Sequence, residues 1–122
     1  MNNKKVIIVN PHMGRHELYS ELCEKLQERL INEGIEISIS NGVGSFFSEY
    51  AIVVFASKRM FDDAKNAKKM FPNKMIILWG INIQKENENK GVVTVKMDDG
   101  IDEIVKIIKF ELTNGVGLCR SF

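Results

Sequence analysis

Apolar residues in this chain fall into two patterns, short unbroken runs and longer stretches in which they recur every third or fourth position. Lys5–Val9 and residues 51–56, 75–79 and 92–96 are β-branched and continuously apolar, as strands buried on both faces are. Glu36–Ser40 alternates instead, Ile35, Ile37 and Ile39 against Glu36, Ser38 and Ser40, which predicts an edge strand with one solvated face. Between and after the runs stand three amphipathic stretches. In Glu17–Asn32, Leu18, Leu22, Leu26 and Leu30 recur at i, i+4, with Tyr19, Cys23 and Ile31 widening the stripe and Gly34 supplying a stop. Residues 60–71 carry Met60, Phe61, Ala64, Ala67, Met70 and Phe71 and end before Pro72. Residues 101–112 repeat Ile101, Ile104, Val105, Ile108 and Leu112, with Asp98 or Asp99 as cap and Asn114-Gly115 as close.

Strands alternating with helices predict a mainly parallel sheet, and right-handed crossovers restrict its topology. The second strand reads as an edge; the first, third and fourth read as interior. The fifth, with Thr94 and Lys96, suits the opposite edge. The expected fold is a three-layer α/β/α sandwich around a flavodoxin-like five-stranded parallel sheet of order 2-1-3-4-5. Residues 1–115 form that domain and 116–122 an apolar C-terminal tail that folds back or docks on another subunit. Residues 41–50 have room for one or two turns, and 82–91 form a polar surface run with room for a short helix.

In open α/β sheets ligands bind beyond the carboxyl ends of the strands, at the point where the strand order reverses. There the first strand delivers Asn10, His12, Arg15 and His16, the third Ser57, Lys58 and Arg59, the fourth Gly80 and Asn82, and the fifth Lys96, Asp98 and Asp99. Cations beside helix N-termini make an anion or phosphate site, with Asn10, His12, Arg15, Ser57, Lys58, Arg59 and Lys96 as its ligand-binding residues. The same side chains also suit solvated loop charges balanced by Asp98 and Asp99. His12 and His16 are the only candidates for acid–base catalysis. With no third His or Cys ligand close in sequence, no metal site is expected. Gly42-Val43-Gly44 follows the second strand, not the first, so it is no dinucleotide fingerprint. No cofactor is expected. Trp79 reads as core more than as a stacking surface, and Phe46-Phe47 as a sheet cover or a partner contact.

Composition narrows the partners. A formal net charge of +1 over 122 residues gives no general attraction to nucleic acid or anionic membrane. No apolar run approaches a membrane span, and the opening residues are too weakly apolar for a signal core, so cytoplasmic residence is expected. Cys23 and Cys119 match no zinc or redox spacing, and Cys23 lies on a helical stripe as a structural thiol would.

Two signalling families show related patterns. The run from Val92 through Lys96, Met97, Asp98, Asp99, Gly100 and Ile101 to Ile104 resembles the last strand and helix of response-regulator receiver domains. The resemblance implies a phosphoryl-contacting lysine at Lys96. Receivers carry acidic residues after strand 1, where this chain has Asn10-Pro11, and their phospho-accepting aspartate ends strand 3, where it has Ala56-Ser57. A degenerate receiver-like domain is implied, and a phosphorylated one is excluded. The opening strand, the Met13-Gly14 loop and the Glu33-to-Ile37 turn are similar to the first βαβ unit of sugar phosphotransferase IIB components, whose phosphate-accepting cysteine is here Asn10.

The expected function is a non-catalytic regulatory or protein-interaction module with a protein partner or a second copy of itself. The alternative is a small enzyme or binding protein for a phosphate-bearing small molecule, using His12 with Arg15, Lys58, Arg59 and Lys96. A subunit of a larger α/β enzyme is a third possibility.

Overall fold

Hydrogen bonding joins all five apolar runs into one parallel sheet. A computed structural model describes residues 5–11, 17–40, 49–81, 83 and 91–114. In chain order the elements are β1 (Lys5–Val9), α1 (Glu17–Asn32), β2 (Glu36–Ser40), β3 (Ile52–Phe55), a 3-10 turn (Lys58–Met60), α2 (Phe61–Met70), β4 (Met75–Gly80), β5 (Val93–Lys96), a second 3-10 turn (Met97–Asp99) and α3 (Asp102–Asn114). The order across the sheet is β2-β1-β3-β4-β5, every pairing parallel. This is the expected flavodoxin-like topology.

Strand pleating sends successive side chains to opposite faces, which splits the core in two. Val6, Ile8, Ile52, Val54, Ile77, Trp79 and Val95 face α1 and α3, meeting Leu26, Leu30, Ile104 and Ile108. Ile7, Val9, Val53, Phe55, Ile76 and Leu78 face α2, meeting Met60, Ala64 and Ala67. Helices thus cover both faces, and the three-layer sandwich stands. Each fully buried aliphatic side chain of this kind contributes roughly 1.5–3 kcal/mol. That is why four- to six-residue strands suffice.

The first helix ends as its glycine predicts. Gly34 has φ 82°, its N–H donates to Ile31 O at 2.9 Å, and Ile35 N–H donates to Leu30 O at 3.0 Å. This paired closure satisfies carbonyls the helix would leave open, while Leu30 and Ile35 meet in the core. The central strands also keep their predicted extent in hydrogen bonding. Ala51 N–H donates to Lys5 O and Ala56 N–H to Val9 O, so 51–56 is bonded throughout although β3 proper is shorter.

Some expectations need correction. Leu18, Ile31 and Met70 are 50%, 54% and 71% exposed. An i, i+4 repeat advances about 40° per step around a helix of 3.6 residues per turn. Leu26 and Leu30 therefore face the sheet, and Leu18, three steps away, has rolled off it. Asp98 and Asp99 stand just ahead of α3 and outside it. They lie in the second 3-10 turn, which Gly100 closes at φ 90° with its N–H on Met97 O, so a backbone reversal separates them from the helix. The helix places Asp102 and Glu103 in its own first turn instead. The turns and short helix expected within 41–50 and 82–91, the Phe46-Phe47 pair, Cys119 and the tail fall almost wholly outside the described residues.

Candidate functional site

The carboxyl edge of the sheet is assembled from strand ends that hydrogen bonding fixes in place. Asn10 extends β1 by one step, its N–H donating to Ser40 O at 2.7 Å, and it is only 1% exposed. Ala56 N–H bonds Val9 O beside it, so the exits of β1 and β3 touch where the strand order reverses. Ser57 follows in extended backbone (φ −173°, ψ 134°), equally buried, and its Oγ accepts a hydrogen bond from Arg59 N–H at 3.3 Å. That contact turns the chain into the 3-10 turn and on into α2, leaving Lys58 and Arg59 exposed. The floor of the edge is therefore polar and neutral, and its rim carries charges of both signs, Lys58, Arg59 and Lys96 with the exposed Asp98.

β4 ends at Gly80, and the absence of a side chain there is structural. A Cβ on Gly80 would stand 2.7 Å from the backbone nitrogen of Lys58, so the turn after β3 lies directly against the exit of β4. Gly80 and Lys96 are register partners on adjacent strands, and paired residues of parallel strands point to one face. Leu78, two residues before Gly80, belongs to the α2 face. Lys58 and Lys96 consequently lie on that same face, on either side of Gly80. Lys96 is exposed, and Met97 after it is buried.

Of the residues singled out from the sequence, the structure brings Asn10, Ser57, Lys58, Arg59, Gly80, Lys96, Asp98 and Asp99 to one edge, and Asn82 lies outside the described residues. His12, Arg15 and His16 lie outside the described residues. Trp79 is fully buried on the α1/α3 face, with no hydrogen-bond partner for its indole N–H among the described residues. It is core. Cys23 is 1% exposed, and burial, with a smaller push from the Glu24 carboxylate, raises its thiol to about 12, so it has little nucleophilic character. Among the described residues no cluster of three or more His, Cys, Asp or Glu side chains is placed to hold a metal ion. No helix among them is long and apolar enough to cross a membrane. The sequence places Gly80 at this edge but does not show Lys58 lying against it; a glycine closing an apolar strand is the signal that marks such a close backbone approach.

No family model matches this sequence, and neither does any curated protein. Solved structures with a similar fold do exist. An orphan response regulator of H. pylori superposes with a TM-score of 0.71 at 14% identity, over 92% of this chain and 99% of that one. A CheY-like response regulator receiver domain protein from Methanospirillum hungatei gives 0.66 at 16% identity, over 90% and 94%. The RcsB response regulator of Salmonella typhimurium gives 0.67 at 16% identity, over 94% of this chain and 62% of that one. At such identities the likeness shows a shared receiver-like fold and nothing about activity.

Proposed function

We propose that this chain is a non-catalytic, cytoplasmic regulatory module of receiver-like shape that works by contacting a protein partner or a second copy of itself. Residues 1–115 are its working domain and 116–122 a tail that docks or folds back. One observation carries the reading. At the meeting of β1 and β3, where receivers place their acidic residues and phospho-accepting aspartate, this chain holds Asn10 and the Ala56-Ser57 pair, and both polar residues are buried. Neither position offers a carboxylate to accept phosphate or hold a divalent cation. Lys96 keeps the place of the receiver lysine with no acceptor for it to serve.

The test is phosphotransfer. Incubation with a small acyl phosphate and Mg²⁺, followed by intact-mass spectrometry, is expected to leave the mass unchanged. A phosphoryl adduct removed by hydroxylamine, as a carboxyl-linked phosphate is, would overturn the reading. Thermal shift against nucleotides and sugar phosphates covers the ligand-binding alternative. Saturable stabilisation lost in His12→Ala or Arg15→Ala would move Asn10, His12, Arg15, Ser57, Lys58, Arg59 and Lys96 from a rim to a ligand site.

A further inference from the structure

The two edges of the sheet are not alike. β5 runs for four residues and ends in a lysine, and its Thr94 and Val95 are fully buried. β2 is five residues long, and its Ser38, Ile39 and Ser40 are only partly buried. Among the described residues no strand lies beyond it. Exposed edges are usually blunted by lysine, proline or a bulge, because their free N–H and C=O groups recruit other strands. Past Glu36 this edge reads Ile37-Ser38-Ile39-Ser40, neutral and without proline. In a parallel ladder each residue turns both backbone groups to one side, and its successor turns them to the other. Asn10 N–H donates to Ser40 O, so Ser40 and Ser38 face β1, while Ile37 and Ile39 turn their groups outward. Gln27 Nε2 reaches Ile37 O at 3.4 Å, which agrees with that direction and shows that the Gln27 side of α1 overhangs the edge. Ile31, one turn on along that side, is half exposed.

We propose that the β2 edge pairs with the same edge of a second copy of this chain, antiparallel about a two-fold axis at Ser38, so that the two sheets continue as one. The proposal rests on the reading of the chain as a module that contacts a partner or itself, and it names the surface. The edge is complementary to itself. With Ser38 opposite its counterpart, Ile37 lies opposite Ile39, and Glu36 opposite Ser40. Ile37 and Ile39 carry the outward groups, so each such pair exchanges both of its backbone hydrogen bonds. A register one step away would set an outward-turned residue against an inward-turned one. No like charges meet along the strands. A carbonyl has two lone pairs, so the long contact from Gln27 does not bar the pairing. Opposed residues share a face, which puts both copies of α1 on one side of the joined sheet, each turning Ile31 toward the other. Glu24 and Glu28, exposed on the outer side of α1, bring like charge toward the axis, so association strengthens as salt screens them.

Sedimentation velocity over a range of concentrations tests the idea. A reversible monomer–dimer equilibrium is expected, tighter at higher salt. Ser38→Lys sets like charges opposite each other at the axis, on the face away from α1, and should weaken association about fivefold or more. Lys106→Glu, at an exposed cation on α3, should leave it unchanged. Ser38→Cys, in a Cys119→Ser background, should form a disulfide-linked dimer under mild oxidation, because opposed residues of a non-hydrogen-bonded pair stand about 4.5 Å apart at Cα. Ser40→Cys in the same background should not, since its two copies lie on opposite sides of the axis. Trp79, the sole tryptophan and fully buried, reports through its emission that each variant is folded. A strict monomer up to about 1 mM would overturn the proposal. So would a dimer that Ser38→Lys leaves intact, or one that cross-links through Ser40→Cys and not through Ser38→Cys. The acyl phosphate result is independent of all of these, so this proposal and the broader reading can fail separately.

Discussion

Gly80 and the backbone of Lys58 occupy space that no other residue type would leave free: a Cβ on Gly80 would lie 2.7 Å from the Lys58 nitrogen and 3.3 Å from its Cα. The obstacle is main chain held by the Ser57 cap, so it cannot swing aside as a side-chain tip would. Gly80→Ala should lower stability by about 1–3 kcal/mol, the usual cost of overpacking. Urea unfolding should show a lower midpoint at unchanged slope. A neutral outcome would mean that the turn after β3 shifts freely, and Lys58 and Arg59 with it.

The leucines of α1 share one repeat but not one fate. Leu26 is fully buried and Leu18 is half exposed. Leu26→Ala should therefore cost about 2–5 kcal/mol, and Leu18→Ala less than about 1 kcal/mol. Chemical denaturation of the two variants side by side checks this, and equal losses would contradict the burial of the stripe.

Lys68 and Lys74 act inside the fold. Lys68 Nζ donates to Pro72 O at 3.1 Å and to Lys74 O at 2.8 Å, and Lys74 Nζ donates to Tyr50 O at 2.5 Å. The turn between α2 and β4 is thus tied to the approach to β3 by ammonium groups on carbonyls. Lys68→Met should cost about 1.5–3 kcal/mol, as loss of a charge-assisted hydrogen bond does. Lys69→Met, at an exposed neighbour with no ion pair among the described residues, should stay within about 0.5 kcal/mol. Thermal melts of the pair decide it.

Cys23 gives the alkaline limb of stability a sign. Its thiol ordinarily ionises near 9.0, and in the fold it is held up to about 12 by burial, then by Glu24. Between those values the native state keeps a proton that the unfolded state has lost. This contribution is complete below about pH 9 and is lost as pH rises toward 12, at up to about 1.4 kcal/mol per pH unit. Cys23→Ala should flatten that slope in urea titrations above pH 9. The native thiol should also resist aromatic disulfide reagents until the protein unfolds.

Much of the fold was legible without coordinates because it depends on local periodicity. α1 spans Glu17–Asn32 as its apolar repeat predicts, β1 and β2 match residue for residue, and the alternation of β2 placed it at an edge. Gly34 marked the stop of α1, since a positive φ is a property of one residue type at one position. The strand order then followed from which runs were apolar on both faces, and it brought Asn10 beside Ala56 and Ser57.

Other features depend on neighbours far apart in sequence, and only the tertiary structure decided them. A repeat names the residues on a stripe but not the width of the surface it meets, so the exposure of Leu18, Ile31 and Met70 came from where the sheet ends. The approach of Lys58 to Gly80, the capture of backbone carbonyls by Lys68 and Lys74, and the placing of Lys58, Arg59 and Lys96 at one edge each join separate elements. Such contacts are set by how strands are stacked side by side and which face each side chain takes, and no window along the chain contains both partners.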